Sequence, residues 1–246
     1  MPLSESLPIA LLFFAMAALY ASVGHAGASG YLAVMGLFGF APAVMRPTAL
    51  ALNIVVALVA AIRFRRAGLF SWRLFWPFAI VSIPAAFAGG AMVLPARTYT
   101  ILVGAVLIYA AGWMFHSAQA SADQPTRPPS LWAALPVGLA IGLLSGLTGV
   151  GGGIFLSPIL IYMAWADTRV TSGVAAAFIL VNSIAGLLGN VAGIEVIPAS
   201  IWVWAVGVLA GGWIGASYGS SHAPTPVLRR LLSLVLVIAG VKLILF

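Results

Sequence analysis

The thirteen residues from Gly146 to Pro158 include five glycines and lie inside a long apolar run. A glycine in a helix interior costs about 1 kcal/mol relative to alanine. The consecutive Gly151, Gly152 and Gly153 therefore predict a broken helix at membrane depth. Backbone freed in lipid is tolerated only where protein covers it or where it lines a wet cavity. The break also leaves unpaired N–H groups at the start of the next helical piece, and those groups favour an anion. Close helix packing is the alternative, because glycine is common in transmembrane helices.

A matching break in the first half favours a site. Ala21 to Tyr31 aligns without a gap on Gly146 to Leu156, placing Gly24 on Gly149 and Gly27 on Gly152. Further on, Arg46-Pro47-Thr48 answers Arg169-Val170-Thr171, Gly90-Ala91 answers Gly215-Ala216, and Ala111-Gly112 answers Ala239-Gly240. The near-constant offset is that of a duplicated unit with small insertions. Two corresponding interrupted segments, one per half, point to a transporter's binding site. The expected organisation is a first transmembrane repeat over 1–117, a linker over 118–130 and a second repeat over 131–246.

Only 6% of the residues are charged and 63% are hydrophobic, against about 25% charged in a soluble domain. The chain is expected to be an all-α polytopic membrane protein. Its net charge of +7 comes from 11 scattered lysines and arginines, which suits loop anchors and gives no nucleic-acid surface. There are no cysteines, so disulfides and thiolate ligands are excluded. The N-terminus, Met-Pro-Leu-Ser-Glu-Ser, lacks the basic start of a signal peptide, so Leu7–Val23 is expected to remain as the first membrane segment.

Half-helices are expected at Ala28–Phe40 and Ile154–Trp165, each after its break. The remaining spans are placed at Pro47–Ile62, Leu74–Leu94, Thr98–Phe115, Leu131–Thr148, Val170–Gly189, Ile201–Tyr218 and Val227–Phe246, with Pro47 in a first helical turn. Ser82, Ala86 and Gly90, and likewise Gly207, Gly211, Gly215 and Gly219, recur every four residues. Such stripes pack closely against a neighbouring helix or a second subunit, so a homodimer stays open. If each half makes an odd number of crossings, Arg63, Arg65, Arg66, Arg73, Arg127, Arg169, Arg229 and Arg230 share one side, and Arg46, Arg97 and Lys242 the other. An even number divides them almost equally, so the positive-inside rule prefers the odd count. The halves would then be inverted repeats, each with a Gly-broken helix or re-entrant half-helix, and both termini would lie outside the cytoplasm.

The paired breaks, each followed by a short helix and then Arg-x-Thr, resemble the sulfite exporter TauE/SafE family. Gly149-Val150-Gly151-Gly152-Gly153 with Pro158, and Thr171-Ser172, carry the resemblance most specifically. The first half departs, with His25-Ala26-Gly27-Ala28 in place of a Gly-rich run and Ala49 after Thr48. The resemblance implies a bacterial inner-membrane transporter of sulfite, sulfur-containing organic acids or related small anions.

The expected substrate-binding residues are Gly24, His25, Gly27, Ala28, Ser29, Thr48, Asn53, Gly149, Gly151, Gly152, Gly153, Thr171, Ser172 and Asn182. Backbone N–H groups, hydroxyls and amides can donate to anion oxygens without the desolvation cost of a full charge. For each polar side chain the competing role is an internal hydrogen bond. His25 is the only ionisable side chain at either break and is the candidate for proton coupling; a purely structural histidine is the alternative. Arg46 and Arg169 open equivalent helices as anion vestibules or as interfacial anchors. No acidic residue lies mid-span, which argues against a sodium site or carboxylate relay. His25, His116 and His222 are isolated in sequence, so no catalytic residue, metal site or cofactor is expected. The expected partners are a small anionic substrate and the lipid bilayer. A passive anion channel is the main rival; an intramembrane enzyme and a non-transporting assembly subunit are the others.

The topology is testable by single-cysteine labelling in this cysteine-free chain. Thiols placed at positions 121 and 2 should label from opposite sides of the membrane, 121 from the cytoplasm. Labelling of both from one side overturns the arrangement.

Overall fold

In the computed structural model, residues 3–116, 126–127, 129–221 and 226–245 are described. Most of the expected linker, Met1, Pro2, His222 and Phe246 lie outside them, as do the side chains of Arg229 and Arg230. The described residues form helices and no strand. They are α1 (Leu3–Ala21), α2 (Ala28–Leu37), α3 (Pro42–Arg66), α4 (Trp72–Ala91), α5 (Ala96–His116), α6 (Leu131–Thr148), α7 (Gly153–Tyr162), α8 (Thr168–Gly189), α9 (Val191–Ile194), α10 (Ile201–Ser221) and α11 (Pro226–Leu245). Helices α3, α4, α5, α6, α8 and α10 are long and apolar enough to cross a membrane.

The helices break where the glycines predict. Gly24 (φ 77°), Gly27 (97°), Gly149 (84°), Gly151 (82°) and Gly152 (84°) all occupy the left-handed region, which costs other residues roughly 1–2 kcal/mol. Both half-helices are shorter than expected, ending at Leu37 and Tyr162. Pro47 is also corrected: it lies inside α3, and Pro42 occupies the helix start. Pro42 takes the position where a missing N–H leaves no bond unmade. Asp167 caps α8, its Oδ1 accepting from the N–H groups of Arg169 (2.8 Å) and Val170 (2.9 Å).

Two contacts show that the half-helices return rather than cross. The N–H of Arg127, just before α6, donates to the carbonyl of Ala164, just after α7, at 2.9 Å. The two ends of the α6–α7 hairpin therefore share one face. The Trp204 indole N–H donates to the carbonyl of Ser6, near the start of α1, at 3.3 Å. Its ring lies 5.9 Å from that of Phe40, after α2, so the α1–α2 hairpin also opens on a single face. The 22-residue α8 is roughly 33 Å long and separates these two faces.

Helices α3 and α8 form the centre and run antiparallel, Leu50 meeting Gly186, Asn53 meeting Ser183 and Phe64 meeting Gly173. Helices α5 and α11 are antiparallel as well, with Gly104 against Ile244 and Ile108 against Gly240. Two other pairs run parallel. On α10, Gly207, Gly211, Gly215 and Gly219 meet the backbone of Ala10, Phe14 and Ala18 on α1 and of Ser22 just after it. On α6, Gly138, Gly142 and Gly146 meet the backbone of Phe78, Ser82 and Ala86 on α4. Both expected small-residue stripes are thus consumed within the chain.

Followed through these pairings, Arg63, Arg65, Arg66, Arg73, Arg127 and Arg169 fall at one face, and Arg46, Arg97 and Lys242 at the other. Arg229 and Arg230, whose side chains lie outside the described residues, take no part in this division. At the arginine-rich face Trp72 and Trp76 stack at 5.8 Å, and the Arg63 guanidinium sits 3.8 Å from the Trp213 ring.

The glycine contacts generate a paired prediction. A Cβ on Gly215 would overlap the Ala18 carbonyl oxygen, whereas one on Gly112 meets nothing within 4 Å. Gly215→Ala should lower stability by about 1–3 kcal/mol, and Gly112→Ala should leave it unchanged or raise it. Thermal unfolding of the purified variants in detergent checks both.

Candidate functional site: two breaks tied to the helices of the opposite half

The break after α1 rests on α8. A Cβ on Gly24 would collide with Ser172 backbone and side chain, and the one proton of the Ser172 hydroxyl is shared between the Val23 carbonyl at 3.1 Å and the Thr168 carbonyl of its own helix at 3.0 Å. The Tyr31 hydroxyl reaches back across Gly27 to donate to the Ala26 carbonyl at 2.8 Å. His25 Nδ1 lies 3.2 Å from the Val23 carbonyl and Nε2 lies 3.3 Å from the Ser157 hydroxyl on α7. With a proton on Nδ1, the ring donates to the carbonyl and accepts from Ser157 through Nε2. Ala28 and Ser29 are buried at the start of α2.

The break after α6 rests on α3 and on the middle of α8. A Cβ on Gly149 would sit 3.1 Å from the Arg46 carbonyl oxygen. The Asn53 amide donates to the Val150 carbonyl at 3.2 Å and lies 3.4 Å from the Ser183 hydroxyl. A Cβ on Gly151 would press on Asn53, Ile179 and Ser183, and one on Gly152 on Ile141 and Phe178. Gly153 packs on Ile179. From α5, the Tyr99 hydroxyl donates to the Thr148 carbonyl at 3.1 Å.

Each break therefore packs on the long helix of the opposite half, and α7 links them, starting at one and carrying Ser157 to the His25 ring of the other. Gly24, His25, Asn53, Gly149, Gly151, Gly152, Gly153 and Ser172 are brought into these contacts. Gly27 caps α2. Thr48 and Thr171 are buried with hydroxyls that have no partner. Asn182 does not reach a break by any hydrogen bond: its amide donates to Phe178 of its own helix at 2.9 Å, leaving Oδ1 unpartnered. Its neighbour Ser183, one helical step round, is the residue that meets Asn53. Tyr31, Tyr99 and Ser183 were not singled out from sequence, since nothing in the spacing of an isolated tyrosine or serine says which carbonyl it will meet.

The freed backbone is treated unequally. The carbonyls of Val23, Ala26, Thr148 and Val150 all receive side-chain donors. The half-helix N-termini receive none, because their caps, Gly27 and Gly152, have no side chain to offer. That leaves partial positive charge at both starts, each worth roughly 0.3–1 kcal/mol to an anion.

Arg46 and Arg169 close the ends of α4 and α10. Arg46 Nη1 donates to the carbonyl of Met92, the α4 C-cap, at 2.9 Å, and Arg169 Nη2 to that of Ser220 in the last turn of α10 at 3.1 Å. Arg46 is buried, and Arg169 is exposed. A cavity of about 470 Å³ opens beside Arg46, with Tyr99 and Asn190 also in its wall; none of its lining residues belongs to either break. Among the described residues no group of three or more His, Asp or Glu is placed to hold a metal ion.

A family model described as sulfite exporter TauE/SafE matches residues 9–243. The chain is 42% identical over 244 residues to a probable membrane transporter protein of Sinorhizobium fredii, covering 98% of this chain and 99% of the relative. It is 23% identical over 113 residues to a probable membrane transporter protein of Bacillus subtilis, covering 45% of this chain and 40% of that one. No solved structure matches.

The Asn53 tie supplies the test of this arrangement. Asn53→Ala leaves the buried Val150 carbonyl without its side-chain donor and should cost about 1–3 kcal/mol. Asn182→Ala, which removes a bond within one helix, should cost less. Chemical or thermal unfolding of the two variants side by side checks the order.

Proposed function

This chain belongs to the sulfite exporter TauE/SafE family and is an integral membrane transporter, and on that premise we propose that it moves a small anion, such as sulfite or a sulfur-containing organic acid, by alternating access around its two broken helices. The observation that carries the anion reading is the unequal treatment of the freed backbone: carbonyls sealed by donors, half-helix N–H ends left uncapped. The unpartnered hydroxyls of Thr48 and Thr171 add donors of the same kind. The halves are inverted repeats in this reading. Support comes from the antiparallel α3–α8 and α5–α11 pairs, which join corresponding helices, and from the α1–α10 contact answering α6–α4. A two-fold axis that relates antiparallel membrane helices lies in the membrane plane. By the positive-inside rule the arginine-rich face is cytoplasmic.

His25 couples a proton to the anion. Its contact with Ser157 suits both ring states, since a hydroxyl donates to a neutral Nε2 and accepts from a protonated one. Its ordinary pKa lies near 6.5. Protonation should tighten anion binding, and a bound anion should reciprocally favour the protonated ring. A passive channel lacks this coupling.

Anion counterflow in proteoliposomes at several pH values, wild type beside His25→Gln, tests both parts. Wild type should transport better as pH falls through the histidine range, and His25→Gln should keep some flux but lose the pH response. Superimposable pH profiles make His25 structural. Flux that follows voltage alone, with no proton movement, makes the protein a channel.

A further inference from the structure

Among the described residues, one buried cation has no carboxylate paired with it. Arg46 is buried and its described hydrogen bond is to the Met92 carbonyl. No ion pair to it is present among the described residues. Of the acidic residues with described side chains, Asp167 caps α8 at the other face; Glu195 is exposed at the end of α9, on the segment whose Gly193 and Val196 line the cavity, and makes no ion pair with Arg46 among the described contacts. Withdrawing a guanidinium from water without a counter-charge is costly. Helix capping alone does not require it, because exposed Arg169 performs the same task on α10. What burial adds at Arg46 is the cavity of about 470 Å³ that opens on it.

We propose that this cavity, on the face opposite the arginine-rich one, is a separate anion station, with Arg46 as its cation. Its ligand class is a carboxylate or sulfonate head on a compact apolar body. The polar groups in its wall, Arg46, Tyr99 and Asn190, are few, and Pro42, Leu94 and Val196 supply apolar surface. The volume is that of an organic ligand pocket, many times the roughly 30 Å³ of a water molecule, and exceeds what a bare oxyanion fills. The station adjoins the second break through two contacts already described: Gly149 packs on the Arg46 backbone, and Tyr99 holds the Thr148 carbonyl. It deepens the anion reading and rests on it for its purpose, as the place where substrate is gathered before reaching the broken helices.

The test uses a thiol introduced by Ala43→Cys, at an exposed position in the cavity wall, in the full-length protein in phosphatidylcholine nanodiscs. Reaction rates are measured with the anionic sulfonatoethyl and the cationic trimethylammonioethyl methanethiosulfonates. A charged cleft raises the encounter rate of the opposite charge by about tenfold or more. The anionic-to-cationic rate ratio should therefore fall about tenfold on Arg46→Gln and survive Arg46→Lys. Benzenesulfonate should slow the reaction when Arg46 is present and not in Arg46→Gln. An unchanged ratio in Arg46→Gln, or no protection by benzenesulfonate, overturns the station. Loss of protection when phosphatidylglycerol is added assigns the cation to a lipid phosphate and overturns it too. Charge selectivity and protection as expected, in a protein that moves no anion in proteoliposomes, would leave the station standing and remove the transport reading instead.

Discussion

Inside a bilayer every backbone polar group must find a partner in the protein or in a wet cavity, and the whole structure follows from how two broken helices meet that demand. Each break turns its chain back by glycines in the left-handed region. Each then hands two of its freed carbonyls to side-chain donors. Ser172 and Asn53 come from the opposite half's long helix, Tyr99 from α5, and Tyr31 from the half-helix itself. The breaks are therefore not loose loops but clamped turns. Because the clamps reach the carbonyls and leave the half-helix N-termini uncapped, the electrostatic residue is positive. The requirement to cover freed backbone thus leaves both half-helix starts with unpaired N–H groups.

The second constraint is how closely helices must approach to hold those clamps in place. The α1–α10 and α4–α6 pairs run parallel with glycine faces against bare backbone. The contact glycines lie on α10 in the first pair; in the second they lie on α6, with Gly89 of α4 also meeting the α6 backbone. Close approach needs a missing Cβ on only one partner, so the glycine stripe of a single helix is enough to bring each pair together.

The cation distribution carries a further asymmetry. Arg46 and Arg169 both meet the C-terminal carbonyls of a helix, where a positive charge is favoured, yet only Arg46 is withdrawn into the protein beside a cavity. Two arginines with the same kind of partner thus differ in burial, and the two faces of the molecule differ chemically.

The positions of both breaks and the helical class were legible in the sequence. They depend on glycine's conformational freedom and on the length of apolar runs, both of which are local properties. Whether the half-helices return or cross was not legible, since a ten-residue helix fits either course. Only the Arg127–Ala164 and Trp204–Ser6 contacts decide it. Pro47 reads as a helix start in isolation, and Pro42 takes that place because the chain turns one step earlier, at Ala41. Asn182 looks like the polar residue of its span, but helix rotation aims Ser183 at Asn53. The sequence by itself determined where the chain must bend and what kind of surface it must bury. The tertiary structure decided which side chain meets which freed carbonyl and which arginine is enclosed, because those depend on the rotation and register of helices packed far apart along the chain.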